Sequence, residues 1–108
     1  MIKNKSPKEV YSILNSDEEI VLIDVRTPNE YNAGHINGAI NIDVNSVDFI
    51  NKINELDKNK KYIVYCRSGV RSKHACEIME KMGFKEVYNM DGGILSWEGE
   101  KLPIDRWL

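Results

Sequence analysis

Apolar positions along the chain follow two patterns, which alternate and predict strands and helices in turn. Continuous apolar runs at residues 19–25 and 62–65 are rich in β-branched and aromatic side chains, which is typical of strands buried on both faces of a parallel sheet. Two further strands are predicted at residues 39–42 and 84–90. Helices are predicted to begin after Ser6 and to cover residues 27–34, 46–56 and 71–82, with a last helix that continues through Trp97.

Capping residues mark several helix ends. Ser6, Pro7 and Glu9 form a capping-box sequence with proline at the first helical position. Gly34 and Gly83 stand where glycine commonly ends a helix. The helix over 46–56 is predicted to bury a stripe of four apolar residues, Val47, Ile50, Ile53 and Leu56.

The alternation of strands with helices predicts an α/β domain with a mostly parallel sheet and helices on both faces. In such sheets a ligand site lies beyond the carboxyl ends of the strands. Asp24 and Arg26 lie at the end of one predicted strand, Cys66 follows another, and the turn at 91–93 follows the last. We therefore expect these groups to meet at one edge of the sheet.

Composition narrows the functional classes. The chain has 108 residues, 42% of them hydrophobic, and we expect a single domain over 1–108 with its core at about 6–103. A net charge of −2 without a basic stripe argues against a nucleic-acid partner. No segment has the roughly 18 apolar residues that a membrane span requires, so no membrane association is expected. Two cysteines without an export signal predict a reducing, cytoplasmic setting.

Cys66 lies between a predicted buried strand and the start of a helix. Backbone N–H groups at a helix start have no helical partner, and they stabilise negative charge. Together with nearby cations such as Arg67 and Arg71, they are expected to lower the pKa of the Cys66 thiol and make it a nucleophile.

Gly69 lets the loop after Cys66 curl tightly, which brings its amides close to the sulfur. Further hydroxyl donors are available from Ser68 and Ser72. A buried, inert cysteine is the alternative, but a flexible cationic loop is a poor cover for one.

Cys76 is expected to be an ordinary core residue, because it lies among apolar residues of the helix predicted over 71–82. The two cysteines match no zinc-binding spacing, so no metal site is expected. Helix geometry also places their Cα atoms beyond the roughly 7 Å limit for a disulfide.

Four stretches of the chain combine into a specific pattern, although each alone is weak. They are residues 22–26, residues 30–31 with 34–36 and 38–39, residues 66–72, and residues 92–94 with Trp97. In this order they resemble the rhodanese (sulfurtransferase) family in its single-domain form. The resemblance runs from about Ser6 to Pro103.

The resemblance implies a rhodanese-like three-layer fold, with a central, mostly parallel sheet of five strands and helices on both faces. It also implies ping-pong sulfur transfer. Cys66 would attack the outer sulfur of a donor such as thiosulfate, release sulfite, and hold a persulfide that cyanide or another thiol removes. No cofactor is expected beyond this covalent persulfide. The implied substrate-binding residues are Arg67, Ser68, Gly69, Val70 and Arg71, whose amides would surround the terminal sulfur much as an oxyanion hole surrounds oxygen.

Asp24 and Arg26 are expected to support this site. Asp24 follows a buried strand and needs a partner when it is desolvated, so it is the candidate carboxylate for holding Arg71. Glu30 and His35 are interpreted as residues that anchor loops.

Two other functions stay open. Protein tyrosine phosphatases and related enzymes place an arginine six positions after their cysteine, whereas here Arg71 comes five after Cys66. The shorter loop suits a single sulfur better than a phosphoryl or arsenate group. A catalytically idle rhodanese-like module that binds a partner is the second alternative, and the retained cysteine disfavours it.

The donor and acceptor are not specified by the residues. A small anionic sulfur donor, or a protein thiol or persulfide, could load or unload Cys66. The oligomeric state is also open, and Trp107 near the C-terminus could pack on its own subunit or on another.

Overall fold

Five strands form one sheet in the computed structural model, which describes residues 2–16 and 19–106, so that Trp107 lies outside the described part. The strands are β1 (Lys3–Lys5), β2 (Ile20–Asp24), β3 (Ile40–Asn41), β4 (Lys61–Tyr65) and β5 (Glu86–Met90). The helices are α1 (Pro7–Leu14), α2 (Pro28–Ala33), α3 (Phe49–Asn54), α4 (Val70–Lys81) and α5 (Gly93–Gly99). None of these described helices is long and apolar enough to cross a membrane. The sheet order is β1–β5–β4–β2–β3, and each neighbouring pair runs parallel.

Side chains alternate across the sheet and build a hydrophobic core on each face. On β4, Tyr62 and Val64 belong to the core that includes residues of α3 and α4. Ile63 and Tyr65 point the other way, into the core that includes residues of α1 and α5. The predicted α/β fold, with a central sheet and helices on both faces, is therefore confirmed.

The hydrophobic pattern does not predict strand β1. Its residues are Lys3, Asn4 and Lys5, and they pair in parallel register with residues 88–90 of β5. The strand lies at the edge of the sheet, where charged side chains are common and apolar alternation is not required. With β1 the sheet has the five strands that the family resemblance implies.

The buried stripe predicted for residues 46–56 is confirmed for Ile53, which lies in the core, and for Leu56, which packs against it, but it is wrong for its first two residues. The helix begins only at Phe49, which is 3% exposed, and Ile53 is completely buried. Val47, in contrast, is 96% exposed, and Ile50 is 49% exposed. The difference arises because residues 43–48 form hydrogen-bonded turns, in which Ser46 N–H donates to the carbonyl of Asp43. Phe49 lies four residues before Ile53, on the same face of the helix, and takes the buried place that was expected for Ile50.

Candidate active site

Cys66 directly follows β4 and precedes the first turn of α4. Gly69 is the N-cap of α4 and adopts the left-handed φ of 103°, which lets the loop turn back over the sulfur. Its backbone N–H donates a hydrogen bond of 3.1 Å to Cys66 Sγ. The Cys66 residue is only 1% exposed, yet its sulfur points at the helix start and not into a purely apolar environment.

The turn after β5 fixes the orientation of the peptide groups that follow Cys66. Ile94 N–H donates to the Cys66 carbonyl at 2.9 Å, and Leu95 N–H donates to the Arg67 carbonyl at 3.1 Å. These bonds hold the two carbonyl groups against α5. The strand ends that carry Cys66 and the turn 91–93 therefore meet, as the sheet topology predicts.

Gly93 provides the closest contact between this turn and the Cys66 loop. Its φ is +62°, and a Cβ at this position would lie 2.4 Å from the Arg67 carbonyl oxygen and 2.6 Å from the Cys66 carbonyl oxygen. Backbone atoms cannot withdraw as a flexible side chain can. Glycine is therefore required here both for conformation and for space.

Gly93→Ala is expected to destabilise the protein by about 2–4 kcal/mol, because overpacking and a left-handed non-glycine residue each contribute to the cost. Gly38→Ala is the matched control, since Gly38 also has a positive φ, +86°, but no heavy atom lies within 4 Å of an added Cβ. This control should lose only about 1 kcal/mol from backbone strain. Urea unfolding followed by circular dichroism measures both values. An equal loss of unfolding free energy in the two variants would contradict a steric role for the close contact between Gly93 and the Cys66 loop.

The environment of Cys66 favours its thiolate. Burial raises the pKa of Cys66, but hydrogen bonds from the side chain and amide of Ser72, and then from the amides of Gly69 and Ser68, bring this pKa below its ordinary value. The predicted lowering of the Cys66 pKa is thus present. Hydrogen bonding lowers the pKa of Cys66, whereas the sequence predicts a contribution from nearby cations as well. Arg71 still interacts with the sulfur, since the charge of Cys66 contributes to raising the pKa of Arg71.

Arg71 is held by Glu30 and not by Asp24, which corrects the expected pairing. Its guanidinium donates to both carboxylate oxygens of Glu30, at 2.8 Å and 2.9 Å. Glu30 is fixed in turn by a reciprocal capping box with Thr27 at the start of α2. A carboxylate held at both ends in this way is a rigid partner for the planar guanidinium.

Asp24 pairs with Arg26 inside the protein. The two side chains are 0% and 7% exposed, and Arg26 Nη2 lies 2.7 Å from Asp24 Oδ2. Arg26 also donates its backbone N–H and its Nε to the same carboxylate, because a spacing of two residues lets both groups reach it. Arg26 Nη2 further donates to the Gly34 carbonyl at 2.6 Å. The pair therefore ties the end of β2 to the end of α2, the helix that carries Glu30.

The pair of Glu30 and Arg71 predicts a pH-dependent contribution to stability. The hydrogen bonds from Arg71 lower the pKa of Glu30 to about 2. An unfolded glutamate has a pKa of about 4.3, so between this value and 2 the unfolded state binds more protons than the folded state. The stabilisation is therefore complete above about pH 4.5 and is lost as the pH falls towards 2.

Glu30→Gln retains the cap on α2 but removes the charge, so it isolates this effect. At pH 7 the variant should be less stable than the wild type by about 1 kcal/mol, since both side chains of the pair are partly exposed. This difference should shrink steadily in thermal unfolding experiments from pH 4.5 to pH 2.5. A difference that is the same at pH 7 and at pH 2.5 would contradict the assignment.

The remaining predicted residues lie at the rim of the loop or away from it. Arg67 and Ser68 are exposed, and Val70 is 74% exposed at the tip. His35 anchors loops as expected, since its backbone exchanges two hydrogen bonds with Asp105. The His35 ring also stacks on Tyr31, with ring centroids 3.8 Å apart.

Cys76 lies in the core, as predicted. It is completely buried on α4, and burial raises its pKa to about 12. Both cysteines are free thiols. Within residues 2–16 and 19–106, no group of three or more His, Cys, Asp or Glu side chains is arranged to hold a metal ion.

Asn89 is a buried polar residue near the site that the sequence argument does not identify. It lies on β5, is 4% exposed, and accepts a short hydrogen bond from the Ser72 hydroxyl. The available signal is a single amide between Tyr88 and Met90, since an amide at a buried strand position needs a defined partner.

Comparisons with known proteins agree with the fold. A family model described as "Rhodanese-like domain" matches residues 6–100. A Bacillus subtilis protein named "Putative sulfurtransferase YtwF" is 41% identical over 102 residues, covering 94% of this chain and 96% of the relative. A protein of Allochromatium vinosum named "Sulfurtransferase" is 32% identical over 104 residues, covering 96% and 95%.

A solved structure of a rhodanese-related protein from Thermoplasma volcanium superposes with a TM-score of 0.84 at 30% identity, covering 95% of this chain and 97% of that one. The parallel sheet and these matches agree. The chain belongs to the rhodanese-like family.

Proposed function

We propose that the protein is a sulfurtransferase that moves a sulfane sulfur from a donor such as thiosulfate to a thiophilic acceptor, either cyanide or a thiol. Cys66 carries the sulfur as a persulfide. The observation that supports this most directly is the Gly69 N–H donated to Cys66 Sγ at 3.1 Å, at a helix start that favours negatively charged sulfur. The sulfurtransferase names of the two relatives support a transferase.

In the first step, the thiolate of Cys66 gives an electron pair to the outer sulfur of thiosulfate. A new S–S bond forms to Cys66, the S–S bond of the donor breaks, and its electron pair leaves with sulfite. The terminal sulfur of the persulfide then carries the negative charge, which the amides of residues 67–71 would stabilise. In the second step the acceptor takes this terminal sulfur, and the electron pair of the broken bond returns to Cys66 as thiolate.

The position of Arg71 favours sulfur over phosphate as the bound group. A phosphatase uses its loop arginine to clamp two oxygens of the phosphoryl group. Here both terminal nitrogens of Arg71 already bind Glu30. The edge of the guanidinium formed by its two terminal nitrogens is thus held by Glu30, which leaves only the Nε side for contacts with a tetrahedral anion.

The burial of Cys66 restricts its reaction partners. A residue that is 1% exposed can be reached only by a small donor or by a sulfur carried at the end of a thin chain. Exposed Arg67 beside the loop would attract a dianionic donor. We therefore propose small anionic sulfur donors as substrates, with a protein thiol or persulfide as a further partner.

The test is an assay of the purified protein with thiosulfate and cyanide, measuring thiocyanate. Thiocyanate formation, together with a mass increase of about 32 Da on Cys66 after thiosulfate alone, is the expected result for one added sulfur. Hydrolysis of an aryl phosphate instead would support the phosphatase alternative. Inactivity with both substrates, with no mass increase on Cys66, would leave an idle binding module as the better description.

A further inference from the structure

Two buried polar side chains connect Cys66 to the edge of the sheet. Ser72 is completely buried in the first turns of α4, and Asn89 is 4% exposed on β5. The Ser72 hydroxyl lies 3.4 Å from Cys66 Sγ, and it also makes a short hydrogen bond to Asn89 Oδ1. Ser72 therefore faces two acceptors at once.

The orientation of the Asn89 amide is fixed by its other neighbours. Its Nδ2 lies 3.1 Å from Asn4 Oδ1 and 3.5 Å from the Gly69 carbonyl oxygen. A backbone carbonyl only accepts hydrogen bonds, so the NH₂ group must face this side. The carbonyl oxygen of Asn89 consequently faces Ser72, and it can only accept the Ser72 proton.

A serine hydroxyl has one proton to donate and can accept a second hydrogen bond. A neutral Cys66 thiol can donate to Ser72 Oγ while Ser72 donates to Asn89, which satisfies all three groups. A Cys66 thiolate has no proton, and a charged acceptor attracts the hydroxyl proton more strongly than a neutral one. If the proton turns to the sulfur, the buried carbonyl oxygen of Asn89 loses its donor, which carries a desolvation cost.

We propose that Asn89 is a positioning residue that acts through Ser72, whose hydroxyl proton points to Asn89 when Cys66 Sγ is uncharged and to Sγ when it is a thiolate. The inference rests on the proposed role of Cys66 as the nucleophile. Formation of the persulfide moves the charge to the outer sulfur, so the proton returns to Asn89, and release of the product brings it back to Sγ.

This competition has a chemical use. A thiolate that is stabilised too strongly is a weaker nucleophile, because nucleophilicity falls with the pKa. Because the hydrogen bond from Ser72 to the thiolate leaves Asn89 without its donor, this bond stabilises the thiolate less than it otherwise would. The thiolate therefore forms but stays reactive. The test below substitutes none of the other charged or titratable residues around Ser72 and Asn89. These residues are Arg71, Cys76, Lys73, His74, Glu77 and Asp91.

The test measures the ionisation of Cys66 from the pH dependence of its alkylation by iodoacetamide, with mass spectrometry to separate Cys66 from Cys76. Ser72→Ala removes a donor to the thiolate and should raise the pKa of Cys66. Asn89→Leu removes the competing acceptor and should lower this pKa. Each change is expected to be about threefold to tenfold in the ionisation constant, the size of one hydrogen bond. In the double variant the Asn89→Leu effect should vanish.

Opposite signs for the two single variants distinguish the proposal from a merely structural role. If Asn89 only stiffened the loop, Asn89→Leu would disturb the amides and raise the pKa of Cys66. A raised or unchanged pKa in this variant therefore overturns the proposal. Alkylation does not involve sulfur transfer, so failure of the thiosulfate assay and failure of this test are separate results.

A measurement on the wild-type protein covers the case in which Asn89→Leu does not fold. The ¹³Cγ chemical shift of Asn89 should change with pH in step with the alkylation of Cys66, because its hydrogen bond is lost on ionisation. The same shift should be flat in Ser72→Ala. Asn41, whose amide donates to backbone carbonyls at the end of β2, is the internal control and should not titrate with Cys66. An Asn89 shift that stays constant through the Cys66 titration overturns the proposal.

Discussion

Cys66→Ser is expected to reduce thiocyanate formation by a factor on the order of a thousand or more, because loss of the nucleophile removes the covalent route altogether. A serine hydroxyl at this position stays protonated near neutral pH, and its oxygen does not form a persulfide. The same loop hydrogen bonds remain available in the variant. The loss would therefore report on the sulfur itself and not on the shape of the site.

Cys76→Ala is the matched control for this prediction. Cys76 is also a buried free cysteine, but it lies in the core and burial raises its pKa to about 12. This variant should keep most of the activity and should show the full mass increase on Cys66 after treatment with thiosulfate. Thiocyanate production by Cys66→Ser at the wild-type rate would remove Cys66 from the mechanism. An inactive but folded Cys76→Ala would show that the loss of activity is not specific to Cys66.

Asp24→Asn should produce the largest loss of stability, about 3–5 kcal/mol, because breaking a buried ion pair leaves an uncompensated charge. The charge left behind is the Arg26 guanidinium, whose side chain is 7% exposed. Asparagine keeps the size of the side chain and one acceptor oxygen, so the loss reports mainly on charge. Thermal unfolding should show a decrease in Tm of at least about 10 °C for a chain of this size.

Asp48→Asn provides the same chemical change at an exposed position. Asp48 precedes α3 and makes no side-chain capping hydrogen bond there, so its replacement should change stability by less than about 0.5 kcal/mol. Adding Arg26→Met to Asp24→Asn should restore part of the stability, because it removes the unpaired charge. Similar Tm values for Asp24→Asn and Asp48→Asn would show that the buried pair does not stabilise the fold.

The strongly patterned elements could be predicted from the sequence, and the weakly patterned ones could not. Strand β4 is a continuous apolar run and leads directly to Cys66, so both its burial and the place of the thiol follow from the residues. Strand β1 carries only polar side chains at the sheet edge, where no hydrophobic signal is required. The start of α3 depends on turns at 43–48, and a periodic pattern alone does not reveal them.

The partners of charged groups were the least predictable part of the site. Sheet topology places Asp24 and Arg71 at the same edge, but it does not say which carboxylate reaches which guanidinium. Arg26 is two residues from Asp24, and both its backbone N–H and its guanidinium donate hydrogen bonds to the Asp24 carboxylate. Glu30 lies 41 residues before Arg71, and its capping box with Thr27 fixes the direction of its carboxylate. The sequence shows the capping box but not that Arg71 lies within its reach.

The hydrogen bonds from Ile94 and Leu95 to the carbonyls of Cys66 and Arg67 mean that the loop after Cys66 is held in place by a second, separate stretch of chain. A fragment that ended before α5 would contain the thiol but would leave its peptide groups free to rotate. We therefore expect the reactivity of the Cys66 thiol to depend on the C-terminal segment that contains α5. The chain could therefore be divided before α5 into two fragments that complement each other. Recovery of the reactivity of the Cys66 thiol would then report that the fragments have reassembled.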